Sequence, residues 1–387
     1  MGRFPSLSET FVINQMSSLL RRGFQVDVVC NGISDDDHLD RQGEPLATLL
    51  GRTRDWWGPA AGLRPAMALV PAGLRDKIST AFDAAFTRNL NACDVVVAHF
   101  GHNGARAARL KKWNLLKPPV VSIFHGYDVG VPAREASLSR YDDLFSHGAL
   151  CLTVNDFFRR MLIEAGAPEK KVAVHHMGID PEAIPYQPRA WDNEPLELIS
   201  VARLTEKKGV EFALRGLALL SRSDPDLDWR YRVVGEGPLR ENLEALASEL
   251  GIAERVTFLG SLPHAEVKQR LRRAHGFVLP SVTASNGDVE GIPVALMEAM
   301  AAGLTVVSTY HSGIPELIQD GETGFLAPER DAASLASRLA WIARNPRQCE
   351  PIALAARRKV EADFNNQRLD DDFAAIVTSL AQSRAAA

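Results

Sequence analysis

Residues 276–303 read GFVLPSVTASNGDVEGIPVALMEAMAAG. The opening GFVL is an apolar run of buried-strand length, ended by Pro280 and Ser281. A polar loop holding Gly287 follows, and Pro293 stands where a helix begins, because its missing N–H costs nothing in a first turn. The backbone from Gly291 through Ile292 and Pro293 to Val294 then feeds a helix N-terminus, whose unpaired N–H groups and positive dipole end form an anion site. Glu290 falls in the loop and Glu298 within the helix. A carboxylate accepts hydrogen bonds from neighbouring hydroxyls, so acids flanking a phosphate site suit hydroxyl recognition. They do not suit a hydrolase pair: eight helical residues span about 12 Å, whereas a double-displacement pair sits ~5 Å apart.

The same strand–loop–helix unit repeats on both sides of this stretch. Strands are expected at 24–30, 94–98, 119–124, 149–154 and 171–175, and again at 196–201, 230–234, 256–259, 276–279 and 305–308. Helices are expected at 8–21, 106–117 and 156–165, then at 209–220, 239–250, 265–274, 293–302 and 332–343. Near-continuous apolar strands alternating with amphipathic helices mean parallel sheets covered on both faces. A stretch holding Pro181, Pro185, Pro188 and Pro195 separates the two sets. The expected architecture is therefore α/β, with two doubly wound, Rossmann-like domains and a cleft between the carboxyl ends of their strands. Residues 1–185 form the N-terminal domain, 186–355 the C-terminal domain, and 356–387 terminal helices that pack back on the first domain. The opening is irregular. Ser6 and Glu9 fit a helix capping box almost at once, so residues 1–4 are too few for the strand with which such a domain starts. Residues 51–75 carry Trp56 and Trp57 without clean periodicity and read as a packed insertion.

Composition closes off other classes. With 46% hydrophobic and 24% charged residues the chain is globular. No apolar run approaches the ~18 residues of a membrane span, and MGRFPSLSET lacks the apolar core of a signal peptide. Four scattered cysteines make neither a disulfide framework nor a zinc site. The net charge is −4 without a concentrated basic face, which argues against nucleic acid. A soluble, cytoplasmic protein is expected.

On these residues the chain resembles the family 4 glycosyltransferases, retaining enzymes of the GT-B fold. E-G-x-P-x-x-x-x-E from Glu290 to Glu298 matches their E-x7-E signature, and GDVEGIPVALMEAMAAGLTVVSTYHSGIPELI is similar to the subgroup that builds bacterial exopolysaccharides such as colanic acid. The resemblance runs over nearly the whole chain. It implies that VARLTEKKG (201–209) sets Arg203 and Lys208 on the donor diphosphate, where two cations neutralise leaving-group charge without a metal. It also implies that Gly235 of VVGEGPL and Gly260 of VTFLGSL let the backbone approach the nucleotide. Glu290 would hold sugar hydroxyls and Glu298 the ribose diol. In SIFHGYD, His125 follows a buried strand and would reach the sugar near the reacting carbon, with Asp128 beside it as a further substrate contact. Glu9 of the SLSET loop would face the sugar–phosphate. His99 and His102 read as a strand-end pair lining the acceptor cleft, not as metal ligands.

The implied activity is retaining transfer of a hexose from a UDP- or GDP-sugar to a glycan hydroxyl, with no cofactor and no metal. The implied acceptor is an oligosaccharide on a polyprenyl diphosphate, with peripheral contact at the cytoplasmic face of the inner membrane. Three other readings stand beside it. A metal-dependent transferase would use Asp35-Asp36-Asp37, which reads as a solvated turn. A sugar epimerase would turn over the nucleotide sugar without acceptor. A catalytically silent scaffold subunit would bind the nucleotide sugar and transfer nothing.

Overall fold

The computed structural model describes residues 4–5, 10–34, 44–55, 69–71, 74, 78, 83, 90–189 and 195–385. The C-terminal domain carries one six-stranded parallel sheet, in the order β12-β11-β10-β7-β8-β9. Its strands are β7 (Leu196–Val201), β8 (Trp229–Val234), β9 (Val256–Gly260), β10 (Gly276–Val278), β11 (Thr305–Thr309) and β12 (Phe325–Ala327). The order reverses beside β7, which places a crevice at the carboxyl ends of β7 and β10. Helices cover both faces, so β10 and β11 are buried along their whole length. The helix Val294–Ala302 (VALMEAMAA) is apolar on nearly every side and accordingly buries Leu296, Met297, Ala299, Met300, Ala301 and Ala302. It stops at Gly303, whose φ of 90° lies in the left-handed region that closes helices.

The N-terminal domain is built in two pieces. A four-stranded parallel sheet runs β3 (Val96–His99), β4 (Val120–Phe124), β5 (Leu150–Thr153) and β6 (Val172–Val174). A separate parallel pair joins β1 (Val28–Cys30) to β2 (Thr53–Asp55), and no bridge links the two among the described residues. Phe4, fully buried, forms a single parallel bridge to Ile33. Its ring packs with Val12, Met16, Val28 and Leu49.

Several boundaries differ from those expected. The strands β2 and β12 were not foreseen; each is only three residues long, too short to show a period. The basic helix expected at 106–117 runs Gly101–Lys112, because Gly101 and Gly104 pack against Phe124 and Ser122 where a Cβ would collide. The helix Tyr127–Arg134 was hidden by Gly126, Gly130 and Pro132. Pro132 cannot donate to the Asp128 carbonyl four residues back, and the buried Tyr141 hydroxyl donates to it instead, at 2.7 Å. Most of residues 51–75, the Asp35–Asp37 run and the Ser6–Glu9 loop lie outside the described residues.

The chain crosses between the domains twice, side by side. The Ile179 N–H donates to the Phe364 carbonyl at 2.9 Å and the Asn366 N–H to the Ile179 carbonyl at 2.8 Å. Beyond this point the helix Asn366–Ala385 returns to the first domain, where Phe373 and Val377 are buried with Leu19, Val121, Ile123 and Leu152.

Candidate functional site

The site is assembled where the loop between β10 and helix Val294–Ala302 meets the N-terminal domain. The segment Glu206–Lys208 clamps that loop residue by residue. Glu206 accepts from the Ser285 N–H at 2.9 Å, Lys207 donates to Asp288 at 3.1 Å, and the Lys208 ammonium lies 2.7 Å from Glu290 Oε1. The next residue, Gly209, has φ 63° and so close an approach to the Pro280 carbonyl that no side chain fits. Glu290 is 6% exposed. Burial opposes its charge, but Lys208 and Lys207 outweigh that penalty and hold its pKa below the usual carboxylate range.

Glu290 is also fixed through its backbone. Its N–H donates to His311 Nε2 at 3.0 Å, and the Ser312 hydroxyl donates to its carbonyl at 2.6 Å. Because Nε2 accepts, the ring proton sits on Nδ1, which lies 2.6 Å from Glu329 Oε1. The other Glu329 oxygen accepts from the Thr283 N–H at 2.8 Å. Burial works against the Glu329 charge, yet the His311 and Thr283 hydrogen bonds prevail and lower its pKa. His311 and Glu329 thus set the position of Glu290 from β11 and the segment after β12, too far along the chain for spacing to reveal. Lys207 could have been noticed as the twin of Lys208.

The N-terminal domain closes on this loop from the other side. A Cβ on Gly130 would come within 2.5 Å of the Gly287 carbonyl, and one on Gly291 within 3.0 Å of Val154. Val289 is buried in the N-terminal core with Val129 and Phe158. At this junction His125 Nε2 lies 3.2 Å from His99 Nδ1, and its ring packs between Phe11 and Phe100 with centroids 4.7 and 4.8 Å away. Desolvation drives both histidines toward the neutral form, His99 to a pKa of about 3 and His125 well below its ordinary value. The buried Nδ1 of His125 has no hydrogen-bond partner among the described residues. His99 therefore belongs with His125, a pairing across 26 residues that the sequence reading did not make.

Asp128, expected as a further substrate contact, is held by the backbone around it. One carboxylate oxygen accepts from the His125 and Gly126 N–H groups at 2.9 and 3.0 Å, the other from the Gly101 N–H at 2.7 Å. It pins the His125 loop to the start of helix Gly101–Lys112. Burial raises its pKa, against the pull of those N–H groups.

Arg203 is exposed and has no ion pair among the described residues. Gly235, at φ 133°, packs on the Ala202 backbone, and its N–H donates to the Gly260 carbonyl at 2.8 Å. Its need for glycine thus comes from seating the strand end that carries Arg203. Ile292 is buried, Val294 is 37% exposed, and no side chain caps the helix that follows Pro293. Glu298 sits apart from the Lys208 pair, lining a crevice with His264, Lys268, Ile184 and Pro185. Burial raises its pKa, with His264 and Lys268 opposing. His102 stacks on Phe100, and Glu9 lies outside the described residues. No cluster of three metal-ligating side chains occurs among the described residues.

An exposed arginine, a lysine–carboxylate pair and an uncapped helix N-terminus are groups of the kind that an anionic, hydroxyl-rich ligand requires. Comparison with known proteins identifies the family. The family model for Glycosyltransferase Family 4 matches residues 8–183, and that for Glycosyl transferases group 1 matches residues 186–359. The chain is 37% identical to the colanic acid biosynthesis glycosyltransferase WcaL of Escherichia coli, over 98% of each chain. It is 35% identical to the amylovoran biosynthesis glycosyltransferase AmsK of Erwinia amylovora, again over 98% of each. Among solved structures, sucrose-phosphate synthase from Thermosynechococcus elongatus superposes with a TM-score of 0.75 at 18% identity, covering 99% of this chain and 95% of that one. Anabaena HepE in complex with UDP superposes with a TM-score of 0.72 at 17% identity, covering 98% of each. These two structures share the GT-B fold of paired Rossmann-like domains. Matched by the two domain models over residues 8–183 and 186–359, and by WcaL over 98% of its length, the chain belongs to glycosyltransferase family 4.

Proposed function

We propose that the protein transfers a hexose, with retention, from a UDP- or GDP-sugar to a hydroxyl of a lipid-linked glycan during exopolysaccharide synthesis. The observation that carries this reading is the Lys208–Glu290 pair at the domain junction, where the next residue, Gly291, approaches the His125 carbonyl. Arg203, Lys208 and the helix start at Gly291–Val294 would hold the diphosphate. Glu290 would accept hydrogen bonds from sugar hydroxyls, Glu298 from the ribose diol. His125 would orient the sugar at its reacting carbon. In the step itself the bond from the anomeric carbon to the leaving phosphate oxygen breaks and the acceptor oxygen bonds to the same face. The acceptor proton passes to the departing phosphate. The chain supplies positioning and charge stabilisation, and the reading calls for no metal.

The relatives support the pathway class, since two of them are named for colanic acid and amylovoran biosynthesis. HepE has been solved with UDP-glucose, which supports a nucleotide-sugar donor. A lipid-linked acceptor would bring the protein to the membrane surface at the end of helix Gly101–Lys112, where Trp113 is 65% exposed beside Lys112 and Lys117. No helix among the described residues is long and apolar enough to cross a membrane. The test is thermal stabilisation by UDP and GDP in EDTA, followed by product anomer analysis by NMR. A ligand at 100 times its Kd should add about 2.7 kcal/mol, an effect lost in Arg203→Ala. Binding without transfer would favour the silent scaffold, turnover without acceptor the epimerase, and dependence on manganese the metal-dependent enzyme.

A further inference from the structure

A second carboxylate, remote from the Lys208 pair, joins the two domains. Glu316 belongs to the short helix Ile314–Leu317 after β11, in the C-terminal domain. Its Oε1 accepts the Asp156 N–H at 2.8 Å, at the start of helix Asp156–Glu164 in the N-terminal domain. Its Oε2 lies 2.8 Å from Nε2 of His176, whose ring packs 5.0 Å from Phe364 beside the double crossing. Helix Asp156–Glu164 already has a side-chain cap from its own sequence, because Asn155 Oδ1 accepts the Phe158 N–H at 2.8 Å. Glu316 adds what Asn155 cannot, a negative charge at the positive helix end, and it comes from the opposite domain.

The close approach is built in. A Cβ on Gly313 would fall within 2.6 Å of Asn155, so only glycine lets this turn reach the helix. The contact also continues toward the site. Asn155 Nδ2 lies 3.4 Å from the Ser312 hydroxyl, which donates to the Glu290 carbonyl at 2.6 Å. Two sets of hydrogen bonds, made by the adjacent residues Asn155 and Asp156, thus tie the N-terminal domain to the Glu290 backbone and to the Glu316–His176 pair.

We propose that Glu316 is a positioning residue, a clasp that holds the domains closed and so sets Glu290 against the N-terminal half of the site. It touches neither reacting group. Its geometry depends on the hinge angle, because one oxygen binds the moving domain and the other a residue at the crossing. Opening the hinge would break both contacts together and release Ser312 from Asn155. The kinetic arm of the test rests on the transferase reading; the structural arm does not.

The experiment compares the full-length wild type with Glu316→Ala, Glu316→Gln and His176→Asn. UDP and GDP affinities are read by calorimetry, kcat and KM by sugar transfer, and the radius of gyration by small-angle scattering with saturating UDP or GDP. Glu316→Ala should lower kcat about tenfold or more, the scale of losing hydrogen bonds to a charged group. Nucleotide affinity should stay within about twofold, because the nucleotide contacts proposed above all lie in the C-terminal domain. The radius of gyration should rise. Glu316→Gln keeps an acceptor for the Asp156 N–H and should recover part of kcat, while His176→Asn should repeat a weaker form of the alanine effect. Unchanged kcat, an unchanged radius of gyration, or equal losses of affinity and turnover would overturn the proposal. If Glu316→Ala does not fold, Glu316→Gln and His176→Asn carry the same test. If neither nucleotide binds the wild type, the donor reading fails and scattering without nucleotide alone decides for or against the clasp.

Discussion

The two walls of the cleft are made of opposite materials. The C-terminal wall is ionic, with Lys207, Lys208, Asp288, Glu290 and the His311–Glu329 pair locked together over a few ångströms. The N-terminal wall is apolar and neutral, with His99 buried against His125 and His125 packed on Phe11 and Phe100. The charged wall gains from the other, because a dry, low-dielectric neighbour strengthens every charge it faces. One wall supplies the field and the opposite wall keeps water out of it.

If the division holds, the largest effect should come from unbalancing the charged wall. Lys208→Ala leaves the Glu290 carboxylate buried without its cation and should cost about 3–5 kcal/mol in denaturant unfolding. Adding Glu290→Gln should return most of that stability and none of the turnover. Equal instability in the single and double variants would mean that Lys208 acts through packing alone. On the neutral wall, His125→Ala should cut kcat roughly 100-fold, the scale of a lost polar contact at the reacting centre. It should leave UDP and GDP affinity nearly unchanged, and a comparable loss of affinity would erase the distinction between the walls. Glu329→Ala removes the support beneath His311 and should cost about 1–3 kcal/mol. That loss should be read as weaker donor binding in steady-state kinetics, with stability less affected.

The smallest effect of any one residue is one of pH, and its sign follows from desolvation. His99, His125 and His175 all have pKa values depressed by burial, His99 to about 3 and His175 to about 4. The unfolded chain therefore takes up protons near pH 6.5 that the folded chain refuses. Stability is fully present above that pH and falls as the pH is lowered through it. The loss should be roughly 1–2 kcal/mol per histidine by pH 5. His175→Gln should flatten the slope in a stability-against-pH series, and an unaltered slope would remove that histidine from the account.

The legibility of the two walls differs as their materials do. Glu290 and Glu298 stood out as candidates because a strand, a glycine loop and a helix start hold them in local order, and Lys208 stood out through the resemblance of VARLTEKKG. The alternating apolar runs likewise revealed the parallel sheets, and β7 lies where its LELISV pattern puts it. What escaped was held in place by tertiary structure. His311 and Glu329 reach the Glu290 loop from other strands, and His99 meets His125 only because β3 and β4 are neighbours. Asp128 looked like a ligand because it follows a histidine–glycine turn. Only the folded chain shows its oxygens already occupied by backbone N–H groups. Gly130 and Gly313 carried no signal in the sequence; both are there because the opposite domain lies against them.

The return of helix Asn366–Ala385 to the first domain has a consequence for synthesis. The face of the N-terminal sheet made by Val121, Ile123 and Leu152 is covered by Phe373 and Val377, which are synthesised long after it. The C-terminal sheet is built from one uninterrupted stretch and can complete its core while the earlier sheet still shows an uncovered apolar face. A nascent chain thus stays exposed to misassociation until helix Asn366–Ala385 has been made, and losing that helix would damage the half of the protein translated first.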